Sequence, residues 1–422
     1  MSRRPFIFGS LLVAFGAAVW QLMVRDALLI VLGIGRVIQT VDEFPYTCRT
    51  IDDERLTACE DLWLDDEQRI VYAACATTQG RLAWNQAVGR VNVSARRTSG
   101  TDFLALSVDQ QLENGSFPIQ PIGLSGYISN SGDSSIDVLG FDAEITPENT
   151  VHFYLTNQRP PVDAQGNYID ASVIGANSTI EVFEHDRGSS TMRHVRTIWD
   201  PENVYTPNNV AAIGGGEFVL TNDHTRLLNW RRSLDFYIGG GGVSHCDASG
   251  KCTTVTPPRA FKMPNGLARG LDGLIYVPSS VTGTITVYSI NRPDPNASLA
   301  SEPKLTILDT IHVGMGLDNI ALDLDGDLWA AGFADGIKLM KWMEDPVGER
   351  VPSTVWRVRK KHGDVSGYQV DKVIEDSKAR ILNAVTTIRH DTKTGRLFMG
   401  GEWSVNFELC GAGMRCEGLK RC

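Results

Sequence analysis

The sequence predicts an all-β chain, a six-bladed β-propeller behind an N-terminal membrane-anchor helix, and three observations carry that expectation. An Asp/Asn/Gly turn feeding a short strand rich in β-branched and aromatic residues recurs six times. Beyond Ile38, convincing amphipathic helices are scarce and no run is apolar enough to span a membrane. The 422 residues, 42% hydrophobic, are long for one ordinary domain but suit a single closed β architecture with a large core.

The N-terminus comes first. Arg3 and Arg4 precede "PFIFGSLLVAFGAAVWQLMV", an uncharged apolar run of about the 20 residues a bilayer crossing needs. Arg25 and Asp26 interrupt it before "ALLIVLGIG". The Ala14/Gly16 and Gly16/Ala18 pairs make weak cleavage sites, so residues 1–38 are expected to form a retained signal anchor. The basic end would stay cytosolic and the remainder would be luminal or extracellular, or secreted if the leader is removed. Sequons at Asn92, Asn114, Asn177 and Asn296 agree with the secretory pathway. The net charge of −10, with no basic stripe, excludes nucleic acid as the main partner.

Residues 39–410 carry the repeating units. They are "DDEQRIVYAA" from Asp65, "TPENTVHFYL" from Thr146, "GGGEFVLTN" from Gly214, "GLDGLIYVPSS" from Gly270, "LDGDLWAAG" from Leu324 and "TKTGRLFMGG" from Thr392. Their spacing of about 50 to 80 residues exceeds the usual blade period, and a pair of β-sandwiches is the competing arrangement. Segments of uneven length, such as residues 159–178, read as loops on one face.

The eight cysteines are even in number. Cys246 and Cys252 lie across the tight turn of "CDASGKC", and Cys59 and Cys75 flank a turn at residues 65–68. Cys48 and Cys410 bracket the globular region, which leaves Cys416 and Cys422 for a bridge within a tail of residues 411–422.

In a propeller, residues far apart in sequence converge on the axial channel. The oxygen-bearing side chains at strand entrances and exits are Glu60 and Asp61 in "CEDLWL", Asn222 and Asp223 in "LTNDHT", Asn265 in "MPNGLA", and Asp318 and Asn319 in "LDNIALD". Singly, "ND", "NG" and "DN" are ordinary turn pairs, and Asn265-Gly266 alone is a hairpin signal. As a set arranged blade by blade, they are hard donors suited to Ca²⁺, which takes six to eight oxygens at about 2.3–2.6 Å. Carboxylates gathered in a narrow channel repel unless a cation neutralises them. No HExxH or clustered His/Cys spacing points to zinc, and His224 reads as a packed or capping residue.

At these motifs the chain resembles the paraoxonase/arylesterase family, calcium-dependent six-bladed propeller hydrolases with an uncleaved N-terminal anchor. The resemblance spans residues 36–410, through "RVIQTVDEFPYTC", "CEDLWL", "EFVLTNDH", "MPNGLARGLDGLIYV", "LDNIALDLDGDLWAAGFADGIKL" and "GRLFMGGEWSVNFELC". More distantly, it is similar to gluconolactonase and strictosidine-synthase-like propellers. The resemblance implies two calcium ions. The catalytic one would be held by Glu60, Asn222, Asn265, Asp318 and Asn319. The structural one would take Asp61, Asp223 and a backbone carbonyl, that of Phe141. The resemblance also implies a disulfide between Cys48 and Cys410. Where better-known members carry a histidine dyad, this sequence has Leu139 and Gln158, and Phe333 replaces a further loop histidine.

The expected function is calcium-dependent hydrolysis of lactones or related carboxylic esters. Ca²⁺ would polarise the carbonyl, and Glu60 or Asp318 would transfer the proton. The alternatives are a catalytically impaired propeller acting as a binding or scaffold protein, which Leu139 and Gln158 motivate, and a strictosidine-synthase-like enzyme.

Overall fold

The computed structural model describes residues 4–226, 228–291, 303–361 and 367–412; Asn296, Cys416 and Cys422 lie outside them. The strands form six main sheets in a closed ring, together with one small hairpin, Trp84–Asn85 with Arg90–Val91. The innermost strands of blades 1 to 6 are Cys59–Asp65, Val138–Ile145, Pro207–Gly214, Ala268–Arg269, Gly316–Leu322 and Thr387–Asp391. Each packs against the next, and the sixth packs against the first, so no inner edge is left open. Blade 2 has a fifth strand, Gly123–Ser125, which pairs in parallel with its outermost strand.

Blade 6 explains why the ring closes. Its strands Thr387–Asp391, Arg396–Gly400 and Phe407–Ala412 come from the end of the chain, but its outer strand, Tyr46–Ile51, comes from the beginning. Cys48 faces Cys410 in this register, and the two are bonded. Cys59–Cys75 and Cys246–Cys252 are bonded as well, each across a hairpin.

Alternating apolar side chains from adjacent blades interleave to make the core. Between blades 1 and 2, Tyr72, Phe103, Phe141 and Phe153 are buried together, with Phe103 and Phe153 edge to face at 4.9 Å. Connections that leave the second strand of a blade carry most of the helices, including Thr78–Ala83, Asp235–Ile238 and Gly336–Glu344. These cover the end of the channel where the inner strands begin.

The N-terminal segment divides in two. Arg4–Val19 is a 16-residue helix, and Leu11, Val13 and Phe15 on it are exposed. No described helix is long and apolar enough to cross a membrane. Residues 26–36 lie instead against blades 4 and 5. Arg36 donates to the carbonyls of Ala334 at 2.8 Å, Ile30 at 2.9 Å, and Leu29 and Gly314 at 3.0 Å. Asn92 and Asn114 are exposed, whereas Asn177 is half-buried in a strand.

Candidate functional site

The channel residues owe their direction to irregular strands. A regular strand alternates its side chains, so two consecutive residues face opposite ways. Here the ladders slip between Cys59 and Asp61, between Pro207 and Val210, and between Leu317 and Ile320. The slips fall on Glu60, on Asn208 and Asn209, and on Asp318 and Asn319. A bulge of this kind re-aims side chains and is common beside functional sites. It lets the consecutive pairs "ED", "NN" and "DN" all contribute to the channel. Two glycines allow the strands to approach: a Cβ on Gly266 would meet Asn319 Oδ1 at 2.0 Å, and one on Gly140 would meet Asn208 O at 2.6 Å.

Glu60, Asp318 and Asn319 come together and are buried. Asn319 Nδ2 donates to the Glu60 carbonyl at 3.1 Å and to Glu60 Oε1 at 3.2 Å, while Thr386 Oγ1 donates to Glu60 Oε2 at 2.6 Å. Burial, with the charges of Asp318 and Glu402, pushes the Glu60 carboxyl well above its usual range. Burial and Glu402 do the same to Asp318, which Asn319 and Asn265 partly offset. Asp318 Oδ1 and Asp223 Oδ1 are buried with no hydrogen-bond partner. Unpaired, mutually repelling buried carboxylates are the condition that a bound cation relieves.

Asn265 adjoins this group, although its Oδ1 accepts from Gly266 N at 2.8 Å. Asn222 is turned elsewhere: its Oδ1 accepts from the N–H groups of Tyr205 and Thr206, both at 3.0 Å, and its Nδ2 donates to Asn203 O. Among the described residues, no three His, Cys, Asp or Glu side chains form a metal-binding group. A cation here therefore needs amide oxygens beside Glu60 and Asp318. The orphaned Asp318 oxygen fits such an ion.

Asp61, one residue on, is surrounded by donors: Asn209 Nδ2 at 2.9 Å, Phe141 N–H at 3.0 Å, Thr387 Oγ1 at 3.2 Å, Arg389 Nη2 at 3.3 Å and its neighbour Leu62 N–H at 2.8 Å. Beyond it, the channel opens into a cavity of about 530 Å³ whose lining includes Trp63, Asp142, Arg269, Arg389 and His390. Burial lifts the Asp142 carboxyl to about 6.

The positions without the histidine dyad are packed. Leu139 is buried, and the Gln158 side chain donates to Pro207 O at 2.8 Å. Phe333 packs against the Trp342 and Trp403 cluster. His224 is buried with Nδ1 3.3 Å from Asp235 Oδ2.

Sequence reasoning missed Glu402, Asn85, Arg81 and Arg389. Glu402 accepts from Asn85 Nδ2. Its carboxyl is raised by burial, against the opposing pull of Arg81 and Asn85, and Asp223 adds to the rise. The available signal was positional: Glu402 lies two residues past the second strand of blade 6, as Asp223 lies one past that of blade 3.

A family model described as Arylesterase matches residues 171–404, more than half of the chain. Serum paraoxonase/arylesterase 1 of Mus musculus is 28% identical over 229 residues, covering 53% of this chain and 57% of that protein. The Rattus norvegicus protein of the same name is 28% identical over 222 residues, covering 52% and 55%. The chain thus spans about half the length of the curated relatives it matches. Among solved structures, a gluconolactonase from Xanthomonas campestris aligns over 89% of this chain and 93% of its own, at 14% identity and a TM-score of 0.44. A putative gluconolactonase aligns over 89% and 94%, at 13% identity and a TM-score of 0.43.

Proposed function

The chain belongs to the arylesterase family, and from that premise we propose that it hydrolyses lactones or related carboxylic esters at the covered end of its channel. The observation that carries this reading is the buried cluster of Glu60, Asp318 and Glu402, each carboxyl raised by burial. Glu60 and Asp318, with the amides of Asn265 and Asn319, are the residues that would hold a calcium ion. When bound, that ion supplies Lewis-acid polarisation of the substrate carbonyl.

The rest of the chemistry falls to the chain. Thr386 and Asn319 fix both Glu60 oxygens, so the carboxylate keeps one orientation. The covering helices and the packed Trp342 and Trp403 exclude bulk water. Glu402, held by Asn85 and free of the ligand set, takes the proton from the attacking water. A carboxyl raised toward neutrality is a better acceptor than one at its ordinary value. Glu60 and Asp318 were the candidates for that role from sequence, and as ligands they are less available for it.

The test is a lactone and aryl-ester panel at controlled calcium, with bound metal measured in parallel. Glu60→Gln and Asp318→Asn should lose both calcium and turnover. A protein that binds calcium yet turns over none of the panel would point to a binding or scaffold role, the reading favoured by Leu139 and Gln158. Turnover of the panel that persists without calcium would overturn the metal-dependent reading, and condensation of an amine with an aldehyde, with no hydrolysis, would point to strictosidine-synthase-like chemistry.

We place the propeller in the secretory pathway, because three disulfides need an oxidising compartment. The exposed Leu11, Leu12, Val13 and Phe15 are the candidate membrane attachment.

A further inference from the structure

The Asp61 carboxylate is fully buried and accepts five hydrogen bonds. An ionised carboxylate offers about four lone-pair sites, so this one is saturated. A calcium ion would need an Asp61 oxygen at about 2.3–2.6 Å, which it reaches only by displacing a donor already in place. One of those donors, Arg389 Nη2 at 3.3 Å, is itself a permanent cation.

Phe141 and Asp223 are the other expected partners of a lower ion. Phe141 donates its N–H to Asp61. Asp223 keeps an unpartnered Oδ1 and has Glu402, Arg232 and Tyr205 as electrostatic neighbours, so it is the Asp61 side of a lower site that is closed. Arg389 meanwhile belongs to the inner strand of blade 6 and interacts favourably with Asp142 on the inner strand of blade 2 as well as with Asp61 on blade 1. One guanidinium therefore pairs with the Asp61 carboxylate and opposes, in part, the burial of Asp142 on a second inner strand.

We propose that Arg389 replaces the buried second cation, so that Asp61 ligates no metal and the channel holds at most the one ion beside Glu60 and Asp318. The charge that binds blades 1, 2 and 6 together then travels with the polypeptide and cannot be removed by a chelator. The inference shares a channel with the proposed catalytic ion but is read as a difference in ion count, so each can fail without the other.

The experiment counts calcium per chain by elemental analysis after equilibration and gel filtration, for the wild type, Asp61→Asn and Arg389→Met. The expected result is at most one ion in the wild type, the same count in Asp61→Asn, and one additional ion in Arg389→Met. Arg389→Lys, which keeps the charge, should match the wild type. Two ions in the wild type, a loss of one in Asp61→Asn, or no gain in Arg389→Met overturns the proposal. If both neutralising variants fail to fold, the wild-type count decides alone. Zero ions in the wild type with a gain of one in Arg389→Met would reject the catalytic ion and uphold Arg389.

Discussion

Glu408 carries a cost that the channel does not explain. It lies fully buried in Phe407–Ala412, and neither side-chain oxygen has a hydrogen-bond partner. Burial pushes its carboxyl well above the ordinary range. The folded protein therefore favours the protonated form. That contribution to stability is present at acid pH and is lost as pH rises through the folded-state value. Glu408→Met should raise stability at pH 8 by about 1–3 kcal/mol and far less at pH 4, measured by urea unfolding at both. Gly266 gives a second residue-scale expectation. In the sequence "NG" is a hairpin signal, but Gly266 has no positive φ, and its role is the close approach of Asn319. Gly266→Ala should displace Asn319 and weaken calcium binding, read by titration calorimetry. A dipeptide pattern shows that a small residue is required and does not show which neighbour requires it.

At the scale of elements, the turn of "DLDGD" ties two blades together. Asp323 Oδ1 accepts from the N–H groups of Asp325 and Asp327, while Oδ2 accepts from Trp329 Nε1 at 2.8 Å and pairs with His390 Nδ1 at 2.7 Å. Burial works against the Asp323 charge, but His390 and Trp329 outweigh it and hold the carboxyl below its usual value. Its stabilisation is present at neutral pH and is lost as pH falls through the folded-state value. Asp323→Ala should cost about 1–3 kcal/mol at pH 7, with the deficit shrinking toward pH 3. The turn was legible in sequence as structural, and so were the repeating strands and the two hairpin disulfides, because turn chemistry and alternation are local. The bulges were not. Whether Asp318 and Asn319 both reach the axis depends on a slip against Leu328–Phe333, and no residue near them encodes it. Arg389 was invisible for the same reason, since its partner Asp61 lies on a blade 328 positions away in the chain.

For the whole molecule, closure rests on one strand pair and one covalent bond. Tyr46–Ile51 and Phe407–Ala412 pair over six residues each and are joined by Cys48–Cys410, a separation of 362 residues. Replacing both cysteines by serine should cost about 2–5 kcal/mol, seen as a lower melting temperature. Removal of the proposed calcium ion should lower the melting temperature by leaving the charge at Glu60 and Asp318 unneutralised, in amounts that follow the free calcium concentration. The same closing pair imposes an order on biosynthesis. The outer strand of blade 6 leaves the ribosome before any other strand of the propeller, yet its partner is the last to emerge. Throughout elongation the nascent chain carries an unpaired strand edge and an unbonded Cys48 at its front. Cys59 then appears eleven residues later and Cys75 sixteen beyond it, so premature pairing of Cys48 with either is the misfolded species that a disulfide isomerase would have to resolve.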